Sequence, residues 1–282
     1  MDGALYEMIY KRKSFHLFRN IGDEIIQDKE LADIQASYER FAPLYPNIRT
    51  AIRIVPGTAT SCKRGEEYCI LMYSEKKGNY LQNIGYLGAQ LDLYLTSRSI
   101  GTLWYGAGKT GEASCDDLDF VIMIAIHKVT DVSKFRRDMF KSKRKPVEEI
   151  WEGAPIDGVT DIVRFAPSAC NTQPWLVKRN GDLSVYRYKK PGKRGMMPAD
   201  RVSFYNCIDI GISFASWRSV WNIRGSHIKE NCPWTRETTT KRPSTQGTDW
   251  NKHTELEDYD DRNKTAENLS RCARADGDVH CC

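Results

Sequence analysis

"RFAPSACNTQPW", residues 164–175, fits neither the helical nor the strand period. Two prolines, Pro167 and Pro174, remove backbone donors and fix φ, while Ser168 and Asn171 carry side chains that bond to nearby backbone. Such a segment reads as a rigid, irregular loop, and rigid loops on a folded scaffold are where binding groups concentrate. Its surroundings are regular. "DGVTDIVRFAP" leads into it with helical spacing, and "PWLVKRN" and "LSVYRYKK" follow as strands, with Gly181 and Asp182 as the hairpin signal between them.

A long helix, "RVSFYNCIDIGISFASWRSVWNIRG", comes next. It has a counterpart earlier in the chain, "NYLQNIGYLGAQLDLYLTSRSIG", apolar on more than one face and therefore central to a core or a helix interface. Both carry Ile-Gly near the start and Gly after the last turn, and both follow two strands. In the earlier case these are "RTAIRIVP" and "EEYCILMYS", with "KRG" as the turn between them. The chain reads as a weak internal repeat of two related halves. The first half opens with two helices, "ALYEMIYKRKSFHLF" and "DKELADIQASYERF", and closes on "DLDFVIMIAIH", a continuous apolar run expected for a buried strand. "PVEEIWEG" reads as a further helix at the start of the second half.

The expected boundaries are 1–133 for the first half, 134–225 for an incomplete second half and 226–282 for a disordered tail. Beyond Gly225 the only aliphatic residues are Ile228, Leu256, Leu269 and Val279, too few to offset the entropy of ordering. An altered reading frame would give this tail the same appearance.

At 282 residues, with 40% hydrophobic and 11% aromatic residues, the chain has ample material for a core. A net charge of +5 is too small to argue for nucleic acid and suits an anionic small ligand such as a phosphate. The nine cysteines show no CxxC pair and no paired zinc-ligand spacing, so reduced thiols and no metal are expected. With no apolar run of membrane length and no signal-type N-terminus, a soluble cytoplasmic protein is expected, and the sequons at Asn263 and Asn268 carry no weight.

"GAGKTG", residues 106–111, matches the dinucleotide fingerprint literally and ends like a P-loop, but Leu103 stands where the P-loop needs its first glycine. The element before it reads as a helix, so a Gly-rich loop after a helix C-terminus is the plainer reading. In "YKRKSFHLF", Arg12, Lys13 and Ser14 put a guanidinium fork, an ammonium and a hydroxyl into one turn, suited either to a phosphate or to a solvated basic face. The basic run 134–145 is equally open: a solvated face, a nucleic-acid or nuclear-import patch, or more phosphate ligands. Only Phe135 and Phe140 are interleaved there for base stacking. No triad or metal-protease motif occurs, so an enzyme built on this chain draws its chemistry from a cofactor.

"YKRKSFHLF" and "APSACNTQPW" together resemble the FMN-dependent nitroreductase family, whose members pair an Arg-x-Ser signature with a Pro-Ser-Ser/Ala-x-Asn-x-Gln-Pro-Trp loop. In the usual member both motifs lie near the N-terminus of one subunit and the flavin sits between two subunits. Here some 150 residues separate them, which resembles the subgroup in which one chain folds as a fused pseudo-dimer. The resemblance covers residues 4–225. It implies an α+β fold of two related α/β halves, with mixed or antiparallel sheets and a long central helix in each, and a monomer in solution.

The resemblance also implies the site. Arg12, Lys13 and Ser14 would hold the FMN phosphate, and His16 stands where relatives often carry Arg or Lys. Pro167, Ser168, Ala169 and Asn171 would approach the flavin from the other half, with Gln173, Pro174 and Trp175 as supports. Tyr105 and Gly106, in a stretch resembling the one along the isoalloxazine ring, would contact its edge, and Lys143 and Arg144 would add cations near the phosphate. The implied activity passes hydride from NAD(P)H through flavin N5 to a small electron-poor acceptor such as a nitroaromatic or quinone, with no nucleic-acid or membrane partner. The alternative is a non-catalytic or weakly flavin-binding relative.

Overall fold

In the computed structural model, residues 3–137, 143–180, 182–189, 195–224 and 258–260 are described. The chain opens with α1 (Gly3–Lys11) and α2 (Asp28–Arg40). The Glu30 carboxylate accepts the Gln27 N–H at 3.1 Å, closing the first turn of α2, which buries Ile34 and Tyr38. β1 (Thr50–Pro56), β2 (Tyr68–Ser74), α3 (Tyr80–Ser97), β3 (Ile100–Tyr105), β4 (Ser114–Cys115) and β5 (Leu118–Lys128) come after them. These strands form one antiparallel sheet in the order β1-β2-β5-β3, with β4 paired to β5.

β5 is an unbroken apolar run because both of its faces are covered. Ile122, Ile124 and Ile126 enter the core shared with α3, while Met123 and Ala125 enter a second core with Phe15, Phe18 and Leu103. Fully burying each of the large aliphatic side chains contributes about 1.5–3 kcal/mol relative to exposure.

The second sheet holds β6 (Trp151–Glu152), β7 (Trp175–Asn180), β8 (Asp182–Lys189) and β9 (Asp258–Asp260), in that order. β7 and β8 are antiparallel, with Asn180 opposite Asp182, and the outer pairs are parallel. α4 (Thr160–Val163) precedes β7, and α5 (Val202–Arg224) comes after β8. The tail expected over 226–282 lies outside the described residues apart from β9, which extends the second sheet by three residues.

α3 and α5 pack against each other at the centre, which is why α3 is apolar nearly all round. The crossing is reciprocal: a Cβ on Gly85 would overlap the Ile208 carbonyl oxygen, and a Cβ on Gly211 would overlap that of Gln82. Residue i meeting j while the partner of j meets the partner of i is the geometry of a two-fold related pair. Arg218 Nη1 adds a 3.0 Å bond to the Tyr86 hydroxyl across the same interface.

Three local expectations are corrected. "PVEEIWEG" is not a helix; Val147–Glu149 form one 3₁₀ turn and β6 comes next, because Trp151 is drawn against Trp217, ring centroids 5.3 Å apart. The helix in "DGVTDIVRFAP" is only the single turn of α4. The element before "GAGKTG" is a strand, β3: α3 stops at Ser97, and Ser99 at φ 56° reverses the chain into it. On the downstream side the chain enters β4 instead of a helix, so the nucleotide fingerprint still fails, now at that end. Among the described residues no helix is long and apolar enough to cross a membrane.

Candidate functional site

Arg12 leaves α1 at its C-terminal end and is 6% exposed. Its Nε donates to Asp92 Oδ2 at 2.8 Å, and Asp92 on α3 also accepts Thr102 Oγ1 at 2.6 Å and Trp104 Nε1 at 2.9 Å. Three donors on one buried carboxylate fix the guanidinium, yet Arg12 Nη2 is buried with no partner among the described residues. Ser14 bridges to Thr102 of β3, which aligns the segment after α1 with the end of the sheet.

The opposite wall is the loop 164–175. Its shape requires positive φ at three residues other than glycine, Cys170 (49°), Asn171 (55°) and Gln173 (48°), a conformation that costs energy and needs surrounding support. Support comes from buried Gln173: its N–H donates to Ser168 Oγ at 2.9 Å, its Oε1 accepts Lys145 N–H at 2.9 Å, and its Nε2 donates to Asn171 O at 3.2 Å. The Ala169 N–H donates to the buried carboxyl of Asp209 on α5, at 3.0 Å to Oδ1 and 3.1 Å to Oδ2. Burial pushes the Asp209 carboxyl up to about 8, against a smaller lowering from that bond.

Between the walls is a cavity of about 260 Å³. Of the residues anticipated from sequence, Arg12, Ser14, His16, Gly106, Pro167, Ser168 and Ala169 line it. Gly106 sits against the Tyr205 ring and accepts the Tyr205 hydroxyl at 2.9 Å, an approach a side chain would obstruct. The other five do not line it. Lys13 Nζ turns to Lys134 O at 3.0 Å, and Tyr105 faces Arg64. Asn171 is an internal clamp: its Oδ1 accepts Arg144 Nη1 at 2.7 Å and its Nδ2 donates to Lys143 O at 3.0 Å. Asn171 therefore orients Arg144, and Lys143 contributes its carbonyl to that clamp.

Arg144 is one of four arginines gathered here: Arg144 and Arg164 both lie over the Phe165 ring, at 6.0 and 4.9 Å from its centroid, and the Arg136 N–H donates to Lys11 O at 2.9 Å, next to Arg12. Burial lowers the Arg144 pKa to about 10, with Arg136, Arg12 and Arg164 adding to the effect, and Arg136 is lowered by burial and by Arg12. Among the described residues no carboxylate pairs with Arg136, Arg144 or Arg164, and Arg144 Nε is buried without a partner. Half-buried like charges with unspent donors have the chemistry to receive a multiply charged anion. A terminal phosphate fits this donor set, and an apolar ring fits the neighbouring walls of Trp104, Met197 and Tyr205.

Sequence reading missed Arg136, Arg164 and Asp209. Arg136 looked like any cation of a basic run, and Asp209 like an ordinary polar residue of a long helix. One legible signal was overlooked: residues 40–43 and 164–167 both read Arg-Phe-Ala-Pro. Each copy comes after a helix and precedes a strand pair and a long helix, and in the first copy Asn83 Oδ1 accepts the Tyr45 N–H at 3.0 Å, as Asp209 does for Ala169. Phe41 and Pro43 of that copy line a larger recess of about 940 Å³, where Arg53 is paired with Glu112 at 2.8 Å. The cysteines hold a further surprise, since Cys62, Glu66 and Cys69 place their ligand atoms within 4.8 Å of one another. Burial raises both thiols, Cys62 to about 12, which keeps them protonated.

The fold and this cavity define an α+β protein of the nitroreductase-like class. The chain belongs to the family described as "Putative TM nitroreductase", whose model matches residues 4–216. Among solved structures it is similar to a "putative nitroreductase" of Thermotoga maritima, at 21% identity and a TM-score of 0.52 over 78% of this chain and 84% of that one. It is also similar to one from Desulfovibrio desulfuricans solved in complex with FMN, at 18% identity and a TM-score of 0.40 over 55% of this chain and 99% of that one. A nitroreductase family protein of Clostridium difficile matches at 13% identity and a TM-score of 0.41, over 53% of this chain and 96% of that one. No curated protein matches the chain.

Proposed function

We propose that this chain is an FMN-dependent oxidoreductase that takes reducing equivalents from NAD(P)H and delivers them to a small electron-poor acceptor such as a nitroaromatic or a quinone. The observation that carries the reading is the group of Arg12, Arg136, Arg144 and Arg164, three of them without carboxylate partners among the described residues, beside a cavity walled by the loop 164–175. Arg12 and Arg144 would hold the phosphate through the nitrogens they leave unpaired, with Ser14 adding a hydroxyl. Bound there, FMN supplies hydride transfer at N5. Trp104, Met197 and Tyr205 exclude water from the ring's surroundings, and Gly106 makes room for the Tyr205 ring in that wall.

The two Arg-Phe-Ala-Pro copies and the reciprocal glycine crossing support a fused pseudo-dimer in which only the second copy retains the Ser-Ala-x-Asn loop. One flavin per chain and a monomer in solution are the consequences. Purified protein should show flavin absorbance, or take up added FMN at one equivalent, and consume NAD(P)H in the presence of an acceptor. Protein that takes up no FMN overturns the reading, and uptake without turnover of any acceptor returns the non-catalytic alternative.

A further inference from the structure

Asp209 and Asn83 hold equivalent places on α5 and α3, each accepting a backbone N–H from its own copy of the loop, Asn83 through its one oxygen at 3.0 Å and Asp209 through both, at 3.0 and 3.1 Å. That duty needs one oxygen, and the Asn83 amide performs it in the first copy. A carboxyl in the second copy is chemically more than the loop requires. Asp209 is 3% exposed and lines the cavity, and among the described residues it bonds only to Ala169 N–H.

The titratable groups sharing its cavity are Arg12 and His16 from the segment after α1, Cys170 from the loop and Tyr205 one turn earlier on α5. None pairs with it, and Arg12 is already bound to Asp92. From α3, the backbone of Gln82 packs against Gly211, two residues beyond Asp209 on α5, and Gln82 carries no charge. With no cation bonded to it among the described residues, a carboxylate here is disfavoured, and the neutral acid has an O–H to donate.

We propose that Asp209 is a specificity-determining hydrogen-bond donor of the site, its protonated carboxyl bonding an acceptor atom of the bound flavin. The inference rests on the flavin reading above. Loss of the proton removes the donor and sets a buried negative charge against an acceptor atom, so affinity falls as Asp209 ionises. Asparagine, the residue the chain itself uses at the related position, keeps the oxygen for the loop and offers an N–H that does not titrate.

The test measures the FMN dissociation constant by fluorescence quenching for the parent protein and Asp209→Asn, across a pH range spanning about two units either side of the Asp209 transition. The parent should bind with constant affinity on the acid side and lose about tenfold per pH unit on the alkaline side, as linkage to one proton requires, while Asp209→Asn stays flat. In ligand-free protein, pH-difference infrared spectra should show a protonated carboxyl band that the variant lacks. If the variant follows the parent's pH profile, or the band is unchanged by the substitution, the proposal is overturned while the flavin reading stands. If the parent binds no FMN at any pH, both fall together.

Discussion

Arg12 Nε and Asp92 Oδ2 stand 2.8 Å apart with both side chains almost wholly buried, and the pair joins the end of α1 to the middle of α3. Neither charge was placed there for stability alone, since a buried ion pair gains little over well-packed apolar residues. Its effect is to hold one guanidinium in the cavity lining, with Nη2 buried and unpaired among the described residues. Asp92→Asn leaves a single oxygen where Thr102 donates to one carboxylate oxygen and Arg12 and Trp104 to the other, and it strips Arg12 of its counter-charge. The variant should lose about 3–5 kcal/mol in urea denaturation. Its FMN affinity should fall as well, since Arg12 is then free to turn from the cavity; unchanged stability would show that the pair is idle.

Arg144 makes a different prediction for stability. It is crowded by Arg136, Arg12 and Arg164, so in Arg144→Gln the repulsion relieved offsets the lost bonds to Asn171 Oδ1 and Phe165 O, and the ligand-free protein should stay within about 1 kcal/mol of its parent. A hydrogen bond to a charged group contributes about 1.5–3 kcal/mol, so FMN affinity should fall roughly ten- to hundredfold. Riboflavin, which lacks the phosphate, should bind the two proteins alike. Equal losses for FMN and riboflavin would place Arg144 away from the phosphate.

Gly85 and Gly211 test the reciprocal helix crossing. Alanine in a helix interior ordinarily gains about 1 kcal/mol over glycine. Here the added methyl would run into the Ile208 or Gln82 carbonyl, so both substitutions should destabilise by about 1–3 kcal/mol, and by similar amounts. Thermal unfolding measures this directly; a stabilised Gly85→Ala would mean that the helices do not approach so closely.

How much of the fold and the site was legible in the sequence depended on whether a residue's partners were close in the chain. α3, α5 and β5 were readable because their apolar patterns are set by burial on more than one face. The loop 164–175 was readable because Pro167 and Pro174 exclude regular structure. β3 was not, because "GTLWYG" continues the apolar run of α3 and only the reversal at Ser99 separates them. Asn171 was read as a ligand from its motif, and its bonds to Arg144 and Lys143 depend on a segment 27 residues away that the loop does not encode. Asp209 could not be assigned from α5 alone, since its meaning comes from the contrast with Asn83 on another helix.

That contrast also fixes how stability should vary with pH. An unfolded aspartate titrates near 3.9. Folded Asp209 is raised to about 8 by burial. Below the unfolded value both states hold the proton, and the folded protein has its full stability from this group. Between the two values the unfolded chain releases the proton and the native state keeps it, so stability falls with rising pH by about 1.4 kcal/mol per unit. Above the folded value the loss is complete and constant. Asp209→Asn has no such proton, so its stability relative to the parent should climb through this window and level off above it. Near the lower end the two should unfold at similar temperatures, because the asparagine oxygen still accepts the Ala169 N–H. Thermal melts of the two proteins at matched pH values measure the difference, from which every other titrating group cancels. A constant difference across the window would mean that Asp209 is ionised in the folded protein, stabilised by a partner other than the Ala169 N–H.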